Sequence, residues 1–373
     1  MPWGVVSLMS LRQEFVGLWE KKAVSFTELC QRYQISRKTG YKWLGRYQSK
    51  GGQGLIDQSR RPKRSPARLS EAREQMVVQL RQRHPRWGAR KIRRLLKNQG
   101  QALPAASTIT ALFHRHGLIE PSTQAKPNWQ RFERQAPNSL WQMDFKGPVA
   151  TLAGSAHALT VLDDHSRFNL CLKALPNQKG ESVKQALTKT FRLYGLPNSM
   201  IMDNGSPWGG EPDFPYTTLT MWLIRLNVGV SHSRPYHPQT MGKDERFHGT
   251  LNRELLDRRQ WKDLWELDSA FERFREQYNF FRPHQALNLE VPASHYQMSL
   301  RCFPEILPPI EYDAGLIVRK VQGKGEISFR GKTVKIGRAF HGYPVGIKAT
   351  STDGLFEVLF CCQTISQIDL REP

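Results

Sequence analysis

The segment Trp141-Gln142-Met143-Asp144-Phe145 places one carboxylate inside a short apolar run. The run predicts a β-strand, and a charged side chain inside a strand is costly to bury unless it is paired or bound to a metal ion. Two further apolar runs, 158–163 and 168–172, predict the strands that follow it. The segment therefore indicates a sheet whose first strand carries a functional acid.

The pattern changes after these three strands. Residues 181–194 have helical spacing that ends at Gly195 and Pro197, residues 199–203 predict a further strand, and residues 242–258 predict another helix. Meandering strands followed by alternating helix and strand predict an α/β body with a mixed sheet.

Three acids fall on separate elements of this body and are the candidate catalytic and metal-binding residues. Asp144 lies within a strand, Asp203 ends a strand, and Glu245 lies near the start of a helix. Carboxylates held on rigid elements suit a hard cation such as Mg²⁺. Two such ions about 4 Å apart hold the attacking and leaving oxygens of an in-line phosphoryl displacement.

Charge is distributed unevenly along the 373 residues. The chain has 55 Lys and Arg against 33 Asp and Glu, a net charge of +22. Residues 1–137 contain 27 basic and 8 acidic residues, whereas residues 138–373 contain 28 and 25. This balance excludes an acidic disordered chain and favours a polyanionic partner for the first third. An apolar content of 39% is sufficient for folded cores.

Residues 10–49 predict a helix-turn-helix DNA-binding domain, with an ordinary helical hairpin as the alternative. Ser25-Phe26-Thr27-Glu28 is a capping box, and Ser36 is a candidate N-cap for a basic second helix. Tyr41, Leu44 and Tyr47 are expected to face inward from that helix. The outward, DNA-binding candidates are Arg37, Lys38, Lys42 and Arg46.

Residues 50–69 form a Gly-, Pro- and Arg-rich segment, interpreted as a linker that follows a phosphate backbone or minor groove, or else as a solvated hinge. Its DNA-binding candidates are Arg60, Arg61, Lys63 and Arg64.

Residues 70–118 predict a second helix-turn-helix domain, in which Ser70 starts one helix and Ser107 caps the last. Residues 119–137 read as another linker, and short strands between glycine-containing turns in residues 310–373 predict a small β-barrel. The DNA-binding candidates of the second domain are Arg90, Lys91, Arg93, Arg94 and Arg115.

The five cysteines contain no C-x-x-C pair, so neither a zinc knuckle nor a disulfide framework is indicated. The first residues lack the basic start of a signal peptide, and charges interrupt every apolar stretch before it reaches membrane length. We therefore expect a cytoplasmic protein.

Six short motifs, taken in order, carry a resemblance. The chain resembles bacterial insertion-sequence transposases with a retroviral-integrase-type catalytic core, the Asp-Asp-Glu class. The similarity covers about half of the chain, and the two basic modules and the β-rich tail match the usual layout of these proteins. The matching motifs are Trp141-Gln142-Met143-Asp144, Leu162-Asp163-Asp164-His165-Ser166-Arg167, Asp203-Asn204-Gly205-Ser206, Ser233-Arg234-Pro235-Tyr236-His237-Pro238-Gln239-Thr240, Gly242-Lys243-Asp244-Glu245-Arg246-Phe247-His248 and Tyr278-Asn279 with Arg282-Pro283-His284.

The resemblance implies a ribonuclease-H-like core over residues 138–300, in which Asp144, Asp203 and Glu245 bind two Mg²⁺ or Mn²⁺ ions. It implies that water cleaves the end of a mobile element, and that the freed 3′-hydroxyl then attacks target DNA. The implied partners are the terminal inverted repeats, the target DNA and further copies of the chain in a synaptic complex on the bacterial nucleoid. Lys243, Arg246 and Arg253 are the DNA-contact candidates of this core.

Two other functional classes remain as alternatives. A DNA-binding regulator derived from a transposase would have an inactive core, although all three acids are present here. A ribonuclease-H-like nuclease acting on hybrid duplexes would not need two DNA-docking modules. A regulator would bind without cutting, and a nuclease would cut without joining.

Several positions depart from the family pattern or have a structural interpretation. Asp203 and Glu245 are 42 positions apart, longer than in the commonest members, and Asn252 stands where Lys or Arg is frequent. The choice of Asp244 or Glu245 as ligand stays open, with Glu245 favoured because Arg246-Phe247-His248 aligns only that way. The remaining expectations are a turn or an Arg167 salt bridge for Asp163 and Asp164, a phosphate-steering or packing role for His237, and core bracing by Arg282 and His284.

Overall fold

The computed structural model describes residues 8–22, 24–58, 69–101, 104–119, 133–210, 214–233 and 242–371. The chain divides into two compact units, Met1–Arg68 and Leu69–Pro373. The predicted basic residues 60–64, the greater part of the linker 119–137, and His237 lie outside the described residues.

The first unit contains three helices, α1 (Leu8–Glu20), α2 (Phe26–Arg32) and α3 (Arg37–Lys50). The predicted caps are confirmed, because Ser25 Oγ accepts the amide of Glu28 and Ser36 Oγ accepts the amide of Thr39. Each serine satisfies an amide that the first turn of a helix leaves free.

Gly40 is the contact point between α2 and α3. A Cβ atom added there would lie 2.8 Å from Phe26 Cζ and 2.9 Å from Cys30 Sγ. The buried face of α3 therefore runs through Gly40, Trp43 and Leu44. The prediction that Tyr41 faces inward is wrong: the side chain is 61% exposed, because the close-contact position is the glycine itself and the core face is turned away from residue 41.

The second unit begins with three more helices, α4 (Glu71–Arg83), α5 (Ala89–Asn98) and α6 (Ala106–Arg115). Their core contains Trp87, Ile92, Leu96, Ile109 and Phe113. The expected cap at Ser107 is wrong, since α6 begins at Ala106 and its N-cap residue is Ala105.

A five-stranded sheet follows, made of β1 (Trp141–Thr151), β2 (Gly154–Asp163), β3 (Asn169–Leu175), β4 (Ser199–Met202) and β5 (Gly229–His232). The strand order is β3-β2-β1-β4-β5. The first three strands pair antiparallel, and β4 joins β1 and β5 in parallel. The predicted mixed α/β fold is thus confirmed.

Helices cover both faces of this sheet, and they are α7 (Gly180–Tyr194), α8 (Thr218–Arg225), α9 (Gly242–Glu254) and α10 (Leu264–Glu276). Met143 and Phe191 share a core on one face, while Leu162, Phe247 and Phe271 form the core on the other. Strand residues alternate between faces. Asp144, next to Met143, consequently faces α9.

The last part of the chain contains β6 (Ile317–Lys320), β7 (Glu326–Phe329), β8 (Lys332–Lys335), β9 (Pro344–Ala349), β10 (Leu355–Phe360) and β11 (Gln363–Asp369). They form a four-stranded sheet in the order β11-β10-β9-β6 and a β7–β8 hairpin. A closed barrel is not confirmed, because the pairings described over residues 317–369 leave the sheet open.

The four-stranded tail sheet packs against the five-stranded sheet instead of closing on itself. Ile347 and Val358 belong to the same apolar core as Met143. At the free edge of β5, Gln363 Oε1 accepts the amide of Val230 at 2.8 Å, and Gln363 Nε2 donates to the carbonyl of Val230 at 2.9 Å. This side-chain amide takes the place of a neighbouring strand. In the part of the chain that is described, no helix is both long and apolar enough to cross a bilayer.

Gly40→Ala is expected to destabilise the first unit by on the order of 1–3 kcal/mol, because the new methyl group overlaps Phe26 and Cys30. Gly45→Ala on the same helix is the matched control, since nothing apart from the local helix backbone lies within 4 Å of its added Cβ. That control should stabilise α3 by up to about 1 kcal/mol. Amide hydrogen exchange of residues 26–50 measures both effects. Unchanged protection in Gly40→Ala would contradict the close α2–α3 contact.

Candidate active site

The three predicted acids lie on or next to two strands of the five-stranded sheet and on α9, a helix that covers it. Asp144 lies on β1, Asp203 directly follows β4, and Glu245 lies in the first turn of α9. The β1–β4 pairing is parallel, with Gln142 opposite Ile201, so the chain positions just beyond that pair reach the same end of the sheet. The carboxylate of Asp144 is 26% exposed, so it lies partly inside the protein.

Asp203 is held by the loop that follows it. Asp203 Oδ1 accepts the amide of Gly205 at 2.9 Å and also the indole N–H of Trp208. Trp208 is 1% exposed and stacks on Phe145, with ring centroids 5.1 Å apart. Since Phe145 follows Asp144, this stack ties the loop of one acid to the strand of another.

Sequence reasoning missed Trp208, because the residue lies in the Pro- and Gly-rich loop after Asp203 and carries neither a charge nor a metal-ligating atom. A large aromatic residue five positions after an acid, in a loop otherwise made of small residues, is the signal that marks it. The next residue, Gly209, has no room for a side chain, because a Cβ there would lie 1.9 Å from the carbonyl oxygen of Asn204.

The electrostatic environment of Asp144 shows that the acids interact. Burial raises the pKa of Asp144 to about 6, and the charges of Asp203 and, more weakly, Glu245 contribute to the rise. The amide of Phe145 donates to Asp144 Oδ1 at 2.8 Å, which opposes the shift. The repulsion that remains is the kind that a bound cation removes.

Asp244 and Glu245 are adjacent but lie in different surroundings. Glu245 is exposed, whereas the Asp244 side chain is completely buried. Thr160 Oγ1 lies 3.0 Å from Asp244 Oδ2. Burial, and after it the Asp144 charge, raises the pKa of Asp244 well above its ordinary value. Glu245 is thus the acid that solvent-borne ions reach, which favours it as the ligand.

His248 is a further residue of the site that sequence reasoning did not assign. Its Nε2 lies 2.9 Å from Thr160 Oγ1, and its Nδ1 lies 3.9 Å from Asp144 Oδ2. Burial, assisted by Lys146, lowers the pKa of His248 to about 4, so the ring is neutral at pH 7. Single ligand atoms of Asp144, Asp244 and His248 lie within 4.8 Å of one another, which makes them a second set of potential metal ligands.

Models of known protein families match successive parts of the chain. Two models described as integrase core domain match residues 134–238 and 226–292, and a model of the C-terminal domain of IS481 family transposases matches residues 316–373. A helix-turn-helix model matches residues 11–63, and a homeodomain-like model matches residues 39–113. The chain is a transposase with an integrase catalytic core.

Individual relatives of the transposase are distant in sequence. It is 25% identical over 234 residues to an uncharacterized 31.7 kDa protein of insertion element IS407 from Burkholderia multivorans, which covers 61% of this chain and 82% of that protein. It is 24% identical over 232 residues to an uncharacterized 39.2 kDa protein of insertion element IS476 from Xanthomonas euvesicatoria, with coverages of 61% and 65%. A 121-residue match to the Pro-Pol polyprotein of feline foamy virus is 29% identical and covers 32% of this chain and 10% of that protein.

Solved structures similar to the transposase include the HTLV-2 integrase catalytic core domain in complex with magnesium. That comparison has 17% identity and a TM-score of 0.34, covering 44% of this chain and 99% of that one. The simian T-cell lymphotropic virus intasome structure gives 14% identity and a TM-score of 0.39, covering 78% and 98%.

The predicted DNA contacts on the transposase fall into two groups. The exposed group consists of Arg37, Lys38, Lys42, Arg90, Arg93, Arg115, Arg246 and Arg253. The partly buried group consists of Arg46, Lys91, Arg94 and Lys243. Several members of both groups contact other residues of the protein, which leaves fewer of their N–H groups for DNA.

Lys243 is the clearest case. Its side chain is 13% exposed, and its ammonium group pairs with the fully buried carboxylate of Asp164. Asp163 forms the expected turn, accepting the amide and hydroxyl of Ser166 at 2.7 and 2.6 Å. The expected partner of these acids, Arg167, instead pairs with Glu133 at 2.7 Å.

Other basic candidates of the transposase make weaker protein contacts. Arg115 pairs with Glu74 at 2.7 Å, and Arg93 Nε donates to the carbonyl of Pro104 at 3.1 Å. Arg253 folds back along α9, so that its NH1 would lie 3.1 Å from a Cβ added at Gly249. The guanidinium of Arg253 therefore lies one turn closer to Glu245 than its own backbone does.

Paired amide variants separate the two neighbouring acids. Glu245→Gln is expected to reduce metal-dependent DNA cleavage to the background seen in EDTA, because a ligand carboxylate is lost. Asp244→Asn keeps a side chain that Thr160 and His248 can contact. Cleavage should therefore fall by no more than roughly 10–100-fold, the usual effect of changing a residue that contacts a metal ligand but not the metal. Cleavage kinetics with a pre-bound DNA end measure both, and the reverse order of severity would make Asp244 the ligand.

Asp144→Asn is expected to stabilise the metal-free protein at pH 7.5 by on the order of 2 kcal/mol, because one pKa unit corresponds to about 1.4 kcal/mol. The pKa of Asp144 in the folded protein is raised from 3.8 to about 6, so ionisation destabilises the fold fully above pH 6. The difference in unfolding free energy between the variant and the wild type should shrink as the pH falls from about 6 towards 4.

Chemical unfolding in EDTA at several pH values tests this expectation. Asp257→Asn, which changes an exposed acid after α9, is the control and should leave the midpoint unchanged. A pH-independent difference between Asp144→Asn and the wild type would contradict the shifted pKa.

Proposed function

We propose that the transposase binds the terminal inverted repeats of a mobile element and catalyses both DNA cleavage and strand transfer with Asp144, Asp203 and Glu245. The observation that carries the proposal is the placement of Asp144 on β1, Asp203 directly after β4 and Glu245 in the first turn of α9. The charges of the last two contribute to the raised pKa of Asp144. Three carboxylates grouped at the end of a rigid sheet form a site suited to cations.

The donor set fits Mg²⁺ or Mn²⁺, because all three side chains offer carboxylate oxygens and leave room for water and DNA phosphate oxygens. We infer two ions in a ribonuclease-H-like core. When bound, the ions supply Lewis-acid activation of water and of the 3′-hydroxyl and stabilise negative charge on the phosphate.

The chain's own residues orient this donor set. The amide of Phe145 directs one oxygen of Asp144, and Trp208 and Gly205 direct one oxygen of Asp203, leaving the second oxygen of each carboxylate for a ligand. Glu245 is placed on the exposed side of α9, where a bound DNA strand would pass. In-line displacement needs no covalent link between protein and DNA.

The DNA-binding part of the proposal rests on the helix-turn-helix modules and their exposed basic residues. We assign residues 10–49 and 70–118 to the two modules, 138–300 to the catalytic core and 310–373 to the tail. The basic segment that contains Arg60 and Arg64 lies outside the described residues and remains part of the proposal on its charge alone. Joining two element ends requires more than one active site, so we propose a homo-oligomeric synaptic complex on the bacterial nucleoid.

A joining assay tests the proposed function. Purified protein is mixed with labelled element ends and a plasmid target in Mg²⁺, in Mn²⁺ or in EDTA. Joined product in either metal, absent in EDTA and absent with Asp144→Asn at unchanged end binding, is the expected result. End binding without cleavage in any metal would favour the regulator, and cleavage without joining would favour a nuclease.

Removal of the exposed charges of α3 should change how binding depends on salt. Replacing Arg37, Lys38 and Lys42 with Ala is expected to lower end affinity and to reduce the slope of log affinity against log salt concentration by roughly 2–3, one unit for each lost phosphate contact. Arg371→Ala is the control, since that side chain pairs with Asp369 at 2.6 Å. Fluorescence anisotropy over a salt series measures the slope, and an unchanged slope would remove α3 from the interface.

A further inference from the structure

A tryptophan of the second helical module is hydrogen-bonded to the catalytic core. Trp87, in the turn between α4 and α5, is 1% exposed and donates its indole N–H to Glu254 Oε2 at 3.2 Å. Its ring stacks on His84, with centroids 4.1 Å apart. Glu254 is the last residue of α9, the helix whose first turn carries Glu245. A buried side chain of the module is thus bonded directly to the catalytic helix.

Glu254 is itself part of a buried ion pair. Arg282 donates to its carboxylate through NH2 at 2.8 Å and through Nε at 3.1 and 3.2 Å. The side chains of Glu254 and Arg282 are 7% and 10% exposed. Burial raises the pKa of Glu254, but the hydrogen bonds and charge of Arg282 outweigh burial and hold it below its ordinary value. The expected bracing role of Arg282 is thereby confirmed.

Two further contacts surround this pair. Gln277 Nε2 lies 3.3 Å from His84 Nδ1, and Arg94 NH2 lies 3.7 Å from Glu290 Oε1. The contacts come from different parts of the module, one from the turn after α4 and one from α5. Together with Trp87 they resist rotation of the module as well as translation.

A buried ion pair contributes little net stability compared with apolar side chains of the same volume. It does, however, require one geometry, because either charge left alone in the interior is costly. The Trp87–Glu254–Arg282 contact therefore specifies an orientation more than it adds stability. Glu245 and Glu254 are nine residues apart on α9, so the Trp87–Glu254 contact lies about 14 Å along the helix axis from Glu245.

We propose that Trp87, Glu254 and Arg282 form a positioning joint, which fixes the second DNA-binding module on the catalytic helix and so sets the phosphodiester that is cut. The effect on the cut position rests on the proposed function, whereas the joint itself rests on the contacts described above. Exposed Arg90 and Arg93 on α5 belong to the same module, so DNA held there has a fixed distance to Glu245. These three are positioning residues, because they act through the module and α9.

Three variants test the joint. Trp87→Phe removes the indole N–H and keeps an aromatic ring. Glu254→Gln removes the charge that holds Arg282. The double variant Glu254→Leu/Arg282→Met replaces the pair with apolar side chains and should keep the fold stable without its directional bonds. Glu305→Gln, in the exposed Arg192–Glu305 pair, is the matched control.

The first measurement is the position of cleavage on a labelled element end. We expect wild type and the control to cut mainly at one phosphodiester, and the three variants to cut at several neighbouring positions, with end affinity within about twofold of wild type. Unchanged cut positions in all three variants would overturn the proposal. Variants that lose DNA-end binding as well as the single cut position would also overturn it, since the joint would then be merely structural.

The second measurement does not require activity. Spin labels at Lys97→Cys and Asp257→Cys, in full-length protein with its exposed cysteines replaced by Ser, report the distance between α5 and the end of α9. One narrow distance distribution in wild type and broader ones in the variants are expected. Equal widths would overturn the joint. If wild type fails to cleave in any metal while the distributions still differ, the proposed function fails and the joint stands.

Discussion

The catalytic unit depends on one partly buried carboxylate, Asp144, which lies near the exposed acids Asp203 and Glu245. Burial, together with the charges of Asp203 and Glu245, raises the pKa of Asp144 to about 6. The surrounding structure holds the acids in place against their repulsion. A sheet supports Asp144, an indole and a backbone amide restrain Asp203, and the start of α9 presents Glu245. A cation bound beside Asp144 would offset the repulsion that its acidic neighbours exert on it.

The adjacent pair Asp244 and Glu245 shows how one helix separates two chemical roles. Successive helical residues point about 100° apart, so one carboxylate enters the protein beside Thr160 and the other stays at the surface. Asp244 and the neutral His248 fill the space behind Asp144 with polar groups that lie near one another. The polar surroundings of Asp144 on its buried side therefore come from Asp244 and His248, and neither side chain has to contact DNA.

The sequence was sufficient for those features that depend on local pattern. The strand around Asp144, the caps Ser25 and Ser36, and the mixed sheet all follow from spacing and turn chemistry. Features that depend on distant partners were missed. Tyr41 was placed inward because the close approach of α2 to Gly40 is a tertiary contact, and Trp208 was overlooked because its partner Phe145 lies far away in the chain. Closure of the tail was expected because its strands were considered without the core that they cover.

The amide of Gln363, which completes the free edge of β5, has a consequence for how such proteins diversify. The tail and the catalytic sheet share one apolar core, and a single side chain from the tail serves as a strand substitute for Val230. Exchange of the tail between related elements by recombination would leave a bare sheet edge and an uncovered apolar face unless both partners changed together. The tail should therefore be inherited with its core, and the two should share one evolutionary history even where the helical modules are reshuffled.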